Sequence, residues 1–147
     1  LTVPDSLIVN NWTAGEGQTI PGNLSTDKKT LSISDLQDSL DLTVQCKAPN
    51  SYPVTVEQKI GETTVTDEDA LPATITIKKN GTNAEVDSMN PSVPEATILR
   101  VIIQEKDGYE LQSVSCNGRE QTTQDTQGGK AFTIDGVHAG VNIVATF

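Results

Sequence analysis

Aromatic side chains are scarce in this sequence: one tryptophan, two tyrosines and two phenylalanines among 147 residues. A core built from it is therefore mostly aliphatic. Cations are also few, 10 against 20 acidic side chains, which leaves a net charge of -10. Such a chain has little with which to neutralise a phosphate backbone, so nucleic acid is not an expected partner. The acidic excess is spread along the chain, -7 over residues 1–72 and -3 over residues 73–147. It describes a self-repelling surface rather than an acidic tail. No apolar run approaches the roughly 20 residues of a membrane helix, so membrane insertion of this segment is not expected. The chain opens on Leu1, its only methionine is Met89, and no charged leader precedes an apolar stretch. It reads as a segment trimmed from a longer precursor.

What is present is a β pattern. Threonine, serine, valine and isoleucine are abundant, and β-branched side chains favour pleated surfaces. Leu40, Leu42, Val44 and Cys46 alternate with polar residues, as do Val54 with Val56 and Ile75 with Ile77. The closing stretch Val141, Ile143, Ala145 and Phe147 does the same. A period of two marks strands with one face on a core. Residues 98–103 are apolar at almost every position and are the expected central strand. Turn residues punctuate these runs: Asn80-Gly81, Asp107-Gly108, Asn117-Gly118, Gly128-Gly129 and Asp135-Gly136. Asn-Gly pairs accept the positive φ of two-residue hairpins. The only helical hint is 34–38, too short for more than one turn. Residues 13–30, rich in glycine, serine, threonine and asparagine, read as a long loop or irregular edge.

The expected fold is all-β, an antiparallel β-sandwich-like arrangement in two small domains. Charge and proline cluster over 66–73, which sets the expected boundary near residue 72. Residues 1–72 form the first domain, immunoglobulin-like in strand pattern, and residues 73–147 the second, expected to fold alone. The alternative is one larger sandwich stapled by a Cys46–Cys116 bridge.

The second half carries ordered cues: a hairpin at 75–81, an apolar strand at 96–103 and the turn Asp107-Gly108-Tyr109. After them come 113–118 with its Asn-Gly turn, 132–137, and the closing strand 141–147. In that order they resemble a divergent module of the Listeria–Bacteroides repeat type, found in tandem on bacterial surface proteins. The resemblance implies an exported role in adhesion, display or spacing and supplies no catalytic residues. Tyr109 is expected to cap the core beside Gly108.

Candidate sites are sparse. Cys46 and Cys116 both follow the parity of expected core faces. Two readings stay open: a bridge between sheets, suited to an oxidising exterior, or two buried thiols acting as small apolar groups. No CxxC or Cys/His spacing indicates zinc, and no metal or other cofactor is expected. His138, the one histidine, sits in a loop between two expected strands, and no cysteine, serine or acid partners it by motif. Asp67, Glu68 and Asp69 lack the spacing of a calcium loop and read as a solvated connection. Trp12 and Tyr52 are the candidate ligand-binding residues, since exposed aromatic faces stack on sugar rings. Against this, a core so poor in aromatics has its own use for Trp12. Asn142 occupies a last-strand position suited to an isopeptide cross-link, but its parity points it outward.

The sequence therefore describes a non-catalytic module of a secreted or cell-surface bacterial protein. Its expected partners are a host or cell-surface protein or glycan and the neighbouring domains of a longer chain. The alternative is a carbohydrate-binding module of an extracellular glycan-degrading protein.

Overall fold

The computed structural model describes residues 1–4, 6–16, 22–34 and 39–147. The chain is all-β, and among these residues the only helical element is a 3-10 turn, Glu68–Ala70. The short helical expectation at 34–38 lies, beyond Ser34, outside the described residues. Two compact units divide the chain, Leu1–Asn50 and Ser51–Phe147. The division falls well before the expected boundary near residue 72.

In the first unit, β1 (Ile8–Ala14), β2 (Gly22–Leu24), β3 (Leu31–Ile33) and β4 (Leu42–Lys47) form two antiparallel ladders, β1–β4 and β2–β3. A small aliphatic core of Val3, Ile8, Val9 and Leu31 is buried. Part of the expected long loop is thus strand. Residues 25–30 form a tight turn, with the Asp27 carboxylate accepting from the Lys29 N–H at 3.0 Å and the Ser25 hydroxyl accepting from the Thr30 N–H at 2.9 Å. A β-bulge interrupts the β1–β4 register between Val9 and Asn11.

The second unit holds β5 (Ser51–Ile60), β6 (Thr63–Thr64), β7 (Ala73–Lys79), β8 (Ser92–Pro94) and β9 (Leu99–Glu105). It continues with β10 (Ser113–Cys116), β11 (Arg119–Glu120), β12 (Gln124–Thr126), β13 (Gly129–Ile134) and β14 (Val141–Thr146). One sheet runs β11-β10-β14-β5-β6, with β8 also paired to β5; the other runs β12-β13-β9-β7. Leu99, Val101, Ile103 and Phe132 from the second sheet pack with Val54, Val114, Val141, Ile143 and Ala145 from the first in one buried cluster. This is the sandwich arrangement the alternation implied. β9 is an interior strand whose Leu99, Val101 and Ile103 are fully buried, as its apolar run indicated.

One pairing departs from the antiparallel expectation. β14 lies parallel to β5, with Val141 opposite Val54 and Thr146 opposite Lys59. This pairing also overturns the boundary near residue 72, because the strand 51–60 fills the sheet that 141–146 completes. The charged 66–73 stretch is a connection within this unit, from β6 to β7. Its 3-10 turn is fully exposed and capped by Asp67, whose carboxylate accepts the Asp69 N–H at 3.0 Å. Charge marks solvent exposure here, not a domain edge, and the proline, Pro72, is buried.

The turns follow the sequence closely. Asn117 and Gly118 both take positive φ, 50° and 75°, and join β10 to β11 in a two-residue hairpin. At Asn80-Gly81 the hairpin is wider than expected. The Lys79 N–H donates to the Ala84 carbonyl at 2.7 Å, which closes four residues, and Asn83 takes positive φ beside Gly81. Tyr109 corrects another expectation: it is 39% exposed and does not cap the core. Its N–H closes the turn onto the Lys106 carbonyl at 3.1 Å. Phe147 packs against the core as expected.

A side chain ties the two sheets together at one side. The Gln58 amide on β5 donates to the Ala73 carbonyl at 3.1 Å and accepts the Ala73 N–H at 3.1 Å. Gln58 is buried, so the amide acts as a short substitute strand for the first residue of β7. Gln58→Met keeps the volume and removes both bonds. It is expected to destabilise the protein by about 2 kcal/mol, the cost of leaving buried backbone groups without partners. Urea denaturation of the two proteins measures it.

Glu105 ties β9 to the loop that follows it and to the neighbouring strand β13. Its carboxylate accepts the Leu111 N–H at 2.7 Å and pairs with the Lys130 ammonium at 3.1 Å. The Leu111 bond first, then Lys130, holds its pKa below the ordinary carboxylate value. A carboxylate depressed on folding contributes stability that is fully present above its unfolded pKa. That contribution fades as pH falls through the lower folded value. The Glu105→Gln variant should therefore lose less stability than the parent between about pH 6 and about pH 3. Urea midpoints at the two pH values give the comparison.

Candidate functional site

The outer face of the four-stranded sheet carries the site. On β9 the inward residues are Leu99, Val101 and Ile103, so Arg100 points outward and is exposed. Cross-strand register places Thr133 of β13 on one side of Arg100 and Lys78 of β7 on the other. Above Arg100 and Thr133 lies a cleft of about 370 Å³, lined by these two and by Thr122, Gln124, Thr126 and Asn80 among others, with Lys78 outside the lining. Local sequence explains the lining. Alternation on β9 and β13 puts polar residues outside, and the wide 80–83 loop and the 121–123 connection raise its walls. Thr126 is held by its own backbone, its hydroxyl donating to the Gly129 carbonyl at 2.7 Å. No acidic side chain lines the cleft.

The charge arrangement is unusual in a protein of net charge -10. Arg100, one of two arginines in the chain, stands directly opposite Lys78. Like charges facing each other across strands repel. Among the described residues neither is in an ion pair, although Glu85 faces Lys78 from the far side. Sequence reasoning passed over Arg100 because it sits inside the apolar run 98–103. The available signal was that lone cation in an otherwise aliphatic strand.

A second concavity, of about 250 Å³, lies along the open side of the same unit between β5 and β7, floored by Val54, Val56, Ile75, Ile77 and Val86. Val56, expected on the core face with Val54, is 42% exposed there.

The residues singled out in the sequence are not gathered together. Trp12 is half-buried on β1, opposite Val44. Tyr52 is half-buried on β5, opposite Val93, and packs against the core of the second unit. The two rings belong to different units. Cys46 and Cys116 are also in different units, and both are free thiols. Cys46 does not follow the core face: it lies opposite Val9, beside the bulge, and is exposed. Cys116 is partly buried, and burial pushes its thiol pKa up. With a thiol-reactive dye and no reductant, Cys46 should label quickly in the native protein and Cys116 slowly; denaturant should release both. Mass spectrometry of the labelled protein counts them.

His138 is exposed in the loop between β13 and β14. Asp67, Glu68 and Asp69 are exposed as well, and among the described residues no cluster of three metal-ligating side chains occurs. Asn142 is exposed, as its parity required. Its side-chain oxygen accepts from the Thr55 hydroxyl at 3.0 Å, and its N–H donates to the Asn117 side chain at 2.7 Å. Among the described residues no helix is long and apolar enough to cross a membrane. In comparisons with family models, with curated proteins and with solved structures, nothing matches the chain.

Proposed function

We propose that this chain is a non-catalytic module of a secreted or cell-surface bacterial protein, serving adhesion, display or spacing. Its partners on this reading are a host or cell-surface protein or glycan and the neighbouring domains of a longer chain. The observation that carries it is the outer sheet face. The sandwich core is complete without it, and it presents a preformed polar cleft on rigid strands. The resemblance of the ordered cues to Listeria–Bacteroides-type repeat modules supports the same reading; the apolar, Asn-Gly and closing segments that carry it are β9, the β10–β11 hairpin and β14.

The second reading, a carbohydrate-binding module, is favoured by the lining of the cleft. Hydroxyls and amides from Thr122, Thr133, Gln124 and Asn80 are the neutral hydrogen-bonding groups that polyols use. Binding of the full chain to arrays of glycans and matrix proteins tests both, with the array ligands then checked for cleavage. Saturable binding without turnover is expected. Turnover of any bound ligand overturns the non-catalytic reading.

A further inference from the structure

We propose that the cleft over β12, β13 and β9 binds a carboxylate-bearing sugar, with Arg100 as the carboxylate ligand. The proposal rests on the carbohydrate-binding reading above and names its ligand class. A guanidinium presents a planar fork that matches a carboxylate in two parallel hydrogen bonds. Arg100 meets the structural needs of that role. It projects from an interior strand whose alternate residues Leu99, Val101 and Ile103 are locked in the core, so its backbone is fixed. It is exposed, without an ion-pair partner among the described residues, and faces Lys78 at the next strand. An anion over this face relieves the repulsion between the two cations. Glu85 moderates Lys78 alone, because it flanks β7 on the side away from Arg100.

The remaining lining decides between a bare anion and a sugar acid. Thr133, Thr122, Gln124 and Asn80 line the same cleft as Arg100 and bring neutral donors and acceptors to it. A simple anion uses none of the outlying ones, whereas the ring hydroxyls of a uronic acid reach them. At about 370 Å³ the cleft stands at the lower end of small-molecule sites, a size suited to one or two sugar rings.

The test is an amide and arginine side-chain NMR titration of the full chain with sodium glucuronate, glucose and sodium acetate at matched ionic strength. Glucuronate should move the Arg100 Nε–H signal and the Thr133 and Gln124 amides saturably, with an affinity at least about tenfold above glucose and acetate. An equal response to acetate overturns the sugar, and an equal response to glucose overturns the role of the charge. Arg100→Gln should weaken glucuronate at least about tenfold with other resonances in place, and Thr133→Val should weaken it less. Unchanged binding by Arg100→Gln overturns the site. If glucuronate moves nothing while the arrays still show a bound glycan or protein, this proposal fails and the adhesive reading stands.

Discussion

Residues 51–147, expressed alone, are expected to give a well-dispersed amide NMR spectrum, and residues 73–147 a collapsed one. The shorter piece keeps most of the aliphatic core, so composition alone would pass it. What it lacks is β5, the longest strand, which lies between β14 and β6. Without it β14 loses the partner of all six of its residues, and Val54 leaves the core cluster. Gln58 leaves as well, and with it both bonds that hold the start of β7. Burial of one valine contributes roughly 1.5–3 kcal/mol, and each backbone bond about 1 kcal/mol. Set against a typical domain stability of roughly 5–15 kcal/mol, the sum removes most or all of the margin. The exposed edge of β14, alternating Val141, Ile143 and Ala145, would then favour aggregation. The longer piece retains every residue of the core cluster. A dispersed spectrum from residues 73–147 would show that β5 is an accessory to this sheet.

The reason the boundary was misplaced bears on what a sequence can disclose. Local features were legible. Asn117-Gly118 announced its turn, the run at 98–103 announced an interior strand, and the final alternation announced β14. Each depends on residues within a few positions of one another. The pairing of β5 with β14 joins residues 87 positions apart, as with Val54 and Val141. No turn residue or spacing encodes it. The charged stretch 66–73 looked like a linker because an exposed connection between sheets has the same composition as a linker between domains. Cys46 fails for a related reason. Strict alternation assigned it to the core, but the bulge beside Val9 on the partner strand disturbs the register locally. A bulge on one strand cannot be read from the periodicity of the other. The site was the least legible part. Arg100 becomes noticeable only when Lys78 and Thr133, distant in sequence, are placed beside it. The aromatic residues that drew attention instead are both half-buried, as a chain with five aromatic rings would use them.

Gly129→Ala is expected to cost about 3–4 kcal/mol, against less than about 0.5 kcal/mol for Gly128→Ala. The pair looks equivalent in sequence, two adjacent glycines in one turn. The structure separates them. Gly129 opens β13 with φ at 116°, a conformation that side-chain-bearing residues avoid. A Cβ there would stand 2.3 Å from the Ile103 carbonyl oxygen and 3.0 Å from the Gln104 Cα. Both obstacles are backbone of an interior strand, so neither can swing aside. Relief would require β13 to move off β9, which breaks the ladder that holds Lys130 opposite Ile103 and Phe132 opposite Val101. Gly128 lacks the positive φ, and its Cβ would lie 3.8 Å from an Ile102 methyl group, an ordinary contact. Thermal or urea unfolding of the two variants gives both values. The same experiment bears on the cleft, because Gly129 also accepts the Thr126 hydroxyl that steadies one wall. If Gly129→Ala folds at all, its β13 resonances should shift together with those of Thr126 and Gln124, while Gly128→Ala leaves them in place. Equal stability of the two variants would mean that β13 does not approach β9 as closely as the Ile103 carbonyl requires.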